Sequence, residues 1–165
     1  NLYIIGTMNT ADKSIALVDI ALRRRFRFVP MYPDLLKLKD VLKENGMSLE
    51  EVELRSQILE NINRIIRSKK SVDFEIGHSY FMDDDSLKNI LNKQVLPLLN
   101  EYFMYDLRKV KEIIEKQQKD KENNAIPKLG ITLNKALWEG RGLLEVESIG
   151  ASVEESETVE EPADE

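Results

Sequence analysis

Ser48-Leu49-Glu50-Glu51 stands directly ahead of an apolar stripe, and no other feature of the sequence limits the possible folds so strongly. A hydroxyl followed three residues later by a carboxylate is a capping box, and Met47 and Val52 flank it as a hydrophobic staple. Behind it Ile58, Leu59, Ile62, Ile65 and Ile66 recur at helical spacing, which predicts one long helix from Ser48 to about Arg67 with a charged back. An isoleucine-rich face of that length has to be covered. The neighbouring segments are therefore expected to pack around it.

Those segments are helical too. Asp34 is placed to cap a helix with Leu35, Leu38, Val41 and Leu42 on one face, stopped by Asn45-Gly46. Ser86 to about Leu96 carries Leu87, Ile90 and Leu91 inward, and Pro97 kinks or restarts it. A further helix is predicted from about Asp106 to Lys119, with Leu107, Val110, Ile113 and Ile114 at helical spacing. Between the second and third helices, residues 71–85 form a break holding His78, the single histidine, with Phe74, Ile76, Tyr80 and Phe81 as core anchors. Asp83-Asp84-Asp85 invites a metal reading, but no other ligands stand at metal-like spacing; a solvated turn that also caps the next helix is the expectation, and no metal is assigned. After a polar break at Lys119–Asn124, residues 126–144 are read as a short strand or turn followed by one or two helical turns, through Leu129, Ile131, Leu133, Leu137 and Trp138. No repeat of 20 to 50 residues and no sustained heptad pattern is present.

The front of the chain has a different texture. Leu2 to Ile5 is a continuous apolar run closed by Gly6, which suits a strand covered on both faces in a parallel sheet. Thr7, Asn9 and Asp12 follow at what would be the carboxyl end of that strand, where open α/β sheets place ligands; an Asx turn accounts for the same residues. Ser14 opens a short helix from Ile15 to Leu22, which runs into Arg23, Arg24 and Arg25, and Phe26 to Val29 alternates as a second strand. Three cations at a helix C-terminus complement its dipole, and a cluster pinned between helix and strand also presents guanidinium groups to a phosphate.

Composition sets the outer limits. With 165 residues, 42% of them hydrophobic, the chain can build one domain, or one domain and a tail. It has no cysteine, which excludes disulfides and thiolate metal sites and fits a reducing, cytoplasmic setting. The net charge of -6 hides an uneven distribution. Residues 145–165 hold nine acids and no Lys or Arg, so the remainder carries 24 basic side chains against 21 acidic ones. The acidic end is expected to be disordered and the body mildly basic. No signal peptide or membrane span is visible. The chain opens on Asn1, inside a buried-strand pattern, and is expected to be a piece of something longer.

The order strand, Gly6-Thr7-Met8-Asn9-Thr10-Ala11-Asp12-Lys13-Ser14, short helix, Asp19-x-Ala21-Leu22-Arg23-Arg24-Arg25-Phe26, strand resembles the second half of an AAA+ nucleotide-hydrolysing core, and most closely that of the McrB family. Ile76-Gly77-His78-Ser79-Tyr80-Phe81 and the helix through Leu96, Pro97, Leu98, Leu99 and Tyr102 extend the likeness, which covers about Asn1 to Tyr105. The resemblance implies a mostly α chain in three parts. Residues 1–31 are the strand-helix-strand remnant of an α/β core, residues 32–144 a helical lid of about four helices, and residues 145–165 a disordered acidic tail.

It also implies a function. The family is the GTP-dependent motor subunit of methylation-dependent restriction systems, forming a hexameric-type ring and driving an McrC-like endonuclease on DNA. By resemblance Asn9 is the sensor-1 residue, and Asp12 is a candidate for the guanine donors or, equally, a helix cap. Arg24 and Arg25 are the choices for an arginine finger reaching the neighbour's γ-phosphate, with Arg23 in a structural ion pair. His78 stands where many AAA+ proteins carry a sensor-2 arginine, so it is a candidate nucleotide contact, although a histidine amid aromatics is also an ordinary core residue. The sequence contains no G-x-x-x-x-G-K-[ST] and no acidic strand end of the Walker B kind, so GTP or ATP with Mg²⁺ requires parts this chain does not supply, and by itself the chain is expected to be inactive. DNA contacts are likewise expected outside it, since no basic face is present. Two alternatives remain: an ATP-dependent remodelling protein of the MoxR type, and a non-enzymatic helical adaptor.

Overall fold

The computed structural model describes residues 2–8, 24–138 and 141–150. The long helix predicted from its cap is present as α2 (Leu49–Lys69), preceded by α1 (Leu35–Glu44). Asp34 accepts from the Lys37 amide at 2.9 Å and so caps α1. The far end of α1 is closed by Gly46 in the left-handed region (φ 79°), which lets the Met47 amide reach the Leu42 carbonyl and the Gly46 amide the Lys43 carbonyl. These are the two bonds of a Schellman ending. Ser48 caps α2 by accepting from the Glu51 amide at 3.2 Å. The reciprocal half of the expected capping box is missing, because the Glu51 carboxylate accepts from Arg55 Nε at 2.9 Å. A charge-assisted bond to a buried guanidinium outcompetes one to a backbone amide.

The predicted stripe of α2, from Ile58 to Ile66, is buried, and so are Val52, Arg55, Ser56, Asn61 and Asn63. Burial on so many sides makes α2 the central rod. Each of its buried aliphatic side chains contributes about 1.5–3 kcal/mol. After it come two 3₁₀ turns, Val72–Phe74 and His78–Phe81. Asn63 holds the strand-like stretch between them, donating to the Ile76 carbonyl at 2.9 Å and accepting from its amide at 2.8 Å.

The next rod is one continuous helix in three registers: α3 (Leu87–Ile90), a π-turn (Leu91–Val95) and α4 (Leu96–Tyr102). Pro97 has no N–H and would press its ring on the preceding turn; the widened turn absorbs this, so the helix passes through where a kink or restart was expected. α5 (Leu107–Glu115) is capped by Asp106 and buries Val110, Ile113 and Ile114. It stops at Glu115, short of the predicted Lys119, because Gln118–Lys119 (β1) pairs with Ala125–Ile126 (β2).

Two expectations about the C-terminal part are corrected. Residues 126–144 hold no helical turn; instead β3 (Ile131–Trp138) and β4 (Arg141–Ile149) form an antiparallel hairpin. Ile131, Leu133, Leu144 and Val146 face the core while Thr132, Asn134, Glu145 and Glu147 are exposed, a period of two. The same alternation places Glu145–Ile149 inside β4, so the boundary drawn at residue 145 from acid content cuts a strand, and residues 151–165 lie outside the described part. The strands expected at residues 2–5 and 26–29 carry no ladder, since among the described residues β1 pairs with β2 and β3 with β4. A strand exists through its partner, and without one Leu2 and Ile5 are 86% and 94% exposed. The helix expected over 15–22 lies outside the described residues.

The hairpin is fastened at an irregularity. Thr132 pairs with Ser148 but Leu133 with Val146, so Glu147 is an extra residue on β4. Polar groups beside it find side chains from the helices. The Leu133 amide donates to Glu115 Oε1 (2.7 Å), the Val146 amide to Asn92 Oδ1 (2.8 Å), and the Leu133 carbonyl accepts from Lys111 Nζ (2.7 Å). Hairpin and helices thus share one core.

Arg55 is 2% exposed and, besides Glu51, donates to the carbonyls of Phe81 (3.2 Å), Asp83 (2.7 Å) and Asp85 (2.8 Å). Replacing it by methionine keeps the volume and strands these acceptors. Arg55→Met is expected to cost about 3 kcal/mol in urea denaturation of the chain. A cost under about 0.5 kcal/mol would mean that the 81–85 segment is held by other contacts.

Candidate functional site

Of the residues singled out for nucleotide chemistry, Asn9, Asp12 and Arg23 lie outside the described residues. Arg24 and Arg25 are described: they occupy a turn and are exposed. Among the described residues neither takes part in a salt bridge. Exposed guanidinium groups on a turn can be offered to an anion brought from outside the chain, and their five fixed donors suit phosphate oxygens.

From Arg27 to Pro33 the backbone has no regular secondary structure, and Val29, Met31 and Tyr32 are exposed. Pro30 and Pro33 restrict it without adding donors. This linker ends at Asp34, where three polar groups are engaged at once. The carboxylate caps α1, the carbonyl accepts from the Leu38 amide at 3.1 Å, and the amide donates to His78 Nδ1 at 3.1 Å.

His78 is half-buried and opens the second 3₁₀ turn, 44 residues along the chain from Asp34. A nitrogen that accepts cannot carry a proton, so the bond assigns the proton of the neutral ring to Nε2. Beside the two roles expected of it, nucleotide contact or core histidine, His78 has a backbone partner at the junction between linker and helices. No pattern in the sequence announces this bond. Arg55 and Asn63 were also missed, although each falls on the apolar face of α2, where a polar side chain signals a buried partner.

The carboxylates of Asp83 and Asp85 are engaged by their own turn and by the helix that follows it. Asp83 accepts from the Asp85 amide, and Asp85 from the Ser86 amide, from Asn89 Nδ2 at 2.7 Å and from Lys93 Nζ at 3.1 Å. The Asn89 amide, followed by the Lys93 ammonium, holds the Asp85 carboxyl below the usual carboxylate range. The turn therefore leads into α3, whose cap is Ser86 itself, accepting from Asn89 at 3.3 Å. A surface cleft of about 460 Å³ beside the C-terminal half of α2 is lined by Arg64, Arg67 and Lys121, but Arg64 is paired with Asp120 (3.2 Å) and Arg67 with Glu75 (2.8 Å). Its arginines are spent on neighbours, whereas Arg24 and Arg25 have no carboxylate partner among the described residues.

Comparison with known proteins places this geometry. Residues 55–111, from the buried arginine through His78 into α5, match the family described as McrB, alpha-helical lid domain. The Type IV methyl-directed restriction enzyme EcoKMcrB subunit of Escherichia coli (strain K12) is 38% identical over 120 residues, which is 64% of this chain and 26% of that relative. The chain thus spans about a quarter of the relative's length.

If Arg24 and Arg25 serve a partner and not the fold, removing them leaves the fold alone. Arg24→Ala and Arg25→Ala are each expected to change the stability of the chain by less than about 0.5 kcal/mol in thermal melts. A loss above about 1 kcal/mol would assign the turn a packing role.

Proposed function

We propose, from the premise that this chain belongs to the McrB family and carries its α-helical lid, that it forms part of the motor subunit of a restriction system, in which Arg24 and Arg25 act on a nucleotide bound by the adjacent subunit. The observation that carries this reading is an exposed arginine pair on a turn ahead of a lid in which Arg55, Arg64 and Arg67 are each paired with a carboxylate. In the proposed ring, an AAA+ assembly of such subunits, the nucleotide is GTP with Mg²⁺, and the partner it drives on DNA is an McrC-like endonuclease.

The residues present fit part of that chemistry. The chain has no phosphate loop, so it does not cradle the triphosphate. Its guanidinium groups can neutralise charge developing on a γ-phosphate presented from another subunit, a contribution of roughly 10³ to 10⁵ in rate for an arginine finger. Asn9, neutral with both donor and acceptor, is suited to orienting the attacking water. The Asp12 carboxylate is suited to guanine's N1 and N2 donors. The proposed parts of the chain are the core segment 1–31, the lid from 32 and the acidic segment at the C-terminal end.

A mixing experiment on the complete protein tests the proposal. Arg24→Ala and Arg25→Ala should each bind nucleotide and lose at least about a hundredfold in GTP turnover. Mixing such a mutant with a subunit that lacks the phosphate-loop lysine but keeps its arginines should restore partial turnover, because each supplies what the other lacks. Mixed assemblies that form and stay inactive would exclude action across subunits.

A further inference from the structure

The bond between His78 and Asp34 does more than satisfy an imidazole. We propose that His78 is a positioning residue: through Nδ1 it fixes the first residue of the lid, and with it the course of the linker that runs back to Arg24 and Arg25. The inference deepens the reading above and rests on it for the hydrolysis arm of its test.

The geometry supplies the reasoning. Asp34 is the residue at which an irregular linker becomes a helix, and its amide precedes the first turn, so no helical carbonyl is available to it. His78 Nδ1 takes that donor at 3.1 Å. The ring is itself anchored: its 3₁₀ turn ends in Phe81, fully buried, whose carbonyl accepts from the buried Arg55. A rigid series therefore connects the N-terminal third of α2 to the point where the linker arrives. The angle at which α1 leaves Pro33 is defined by side chains of the lid interior. Loosening His78 frees that joint while leaving the core of the lid intact, because the half-buried His78 is not one of the core side chains. A misplacement of about 1 Å at the arginines is enough to cost on the order of a hundredfold in rate.

Two substitutions separate this role from others. The side-chain oxygen of His78→Asn falls near the position of Nδ1 and can accept from the Asp34 amide; the longer His78→Gln places its amide near Nε2 and cannot. Because His78 is the single histidine, its ring nitrogens can be observed by NMR in the 165-residue chain without ambiguity. In the neutral form of the ring the spectrum is expected to show the proton on Nε2. Hydrogen exchange at the Asp34 amide should accelerate at least about tenfold in His78→Gln and stay near wild type in His78→Asn. This part needs no nucleotide and stands or falls apart from the proposed hydrolysis.

In the complete protein, His78→Gln should lower GTP turnover with nucleotide affinity unchanged, and His78→Asn should retain turnover. A proton on Nδ1, or unaltered exchange in His78→Gln, would overturn the contact. Turnover preserved by Gln and lost with Asn, or lost equally in both, would assign the function to Nε2 or the whole ring and overturn the positioning role. Turnover insensitive to Arg24 and Arg25 would instead remove the reading on which this arm rests, leaving the exchange result in place.

Discussion

A buried charge is tolerated only where its polar atoms find partners, and each of the three guanidinium nitrogens of Arg55 finds one in a way the rest of the lid depends on. Its guanidinium takes the Glu51 carboxylate and three carbonyls that lie 26 to 30 residues further along the chain. Those carbonyls belong to the end of a 3₁₀ turn and to the acidic turn before α3, so one side chain of the central helix sets the path of the segment that crosses it. From Phe81 the constraint passes to His78, from His78 to Asp34, and from there to the linker. The site proposed to act lies at one end of this series and the hydrophobic core at the other.

The far side of the body is organised by the same rule applied to backbone groups. At the irregularity in the hairpin two amides and a carbonyl are supplied by Glu115, Asn92 and Lys111. Asn92 can serve because it sits in the π-turn forced by Pro97, so a helix defect and a strand defect are matched to each other. Residues matching the family's lid end at 111, yet Ile131, Leu133, Leu144 and Val146 belong to its core. The folded unit is therefore larger than the matched segment.

Local features were legible in the sequence, and those that depend on distant partners were not. Asp34, Ser48 and Asp106 announced their helices because capping is decided within four residues, and the stripe of α2 because burial follows its period. Residues 126–144 misled because Leu129, Leu133 and Leu137 fit a helical spacing as well as an alternating one; Glu139-Gly140, a two-residue link with glycine between alternating runs, was the hairpin signal to weigh. Glu145 and Glu147 resemble the start of an acidic run in composition, but they are the solvent face of a strand. The apolar run at the front reads as a strand, but its ladder requires a neighbour that the described residues do not contain. At the site, the arginine run and the single histidine were visible as candidates. What could not be read was the carbonyl set of Arg55 or the amide that His78 accepts, since neither partner has a side-chain signature.

The central functional claim is that the turn bearing Arg24 and Arg25 faces the nucleotide of another subunit while the lid holds the joint behind it. A high-resolution structure of the assembled complete protein with a non-hydrolysable GTP analogue tests it most directly. The account predicts a guanidinium of Arg24 or Arg25 about 3 Å from a γ-phosphate oxygen held by the neighbouring subunit. Both arginines paired with carboxylates of their own subunit, or turned to their own subunit's nucleotide, would contradict it.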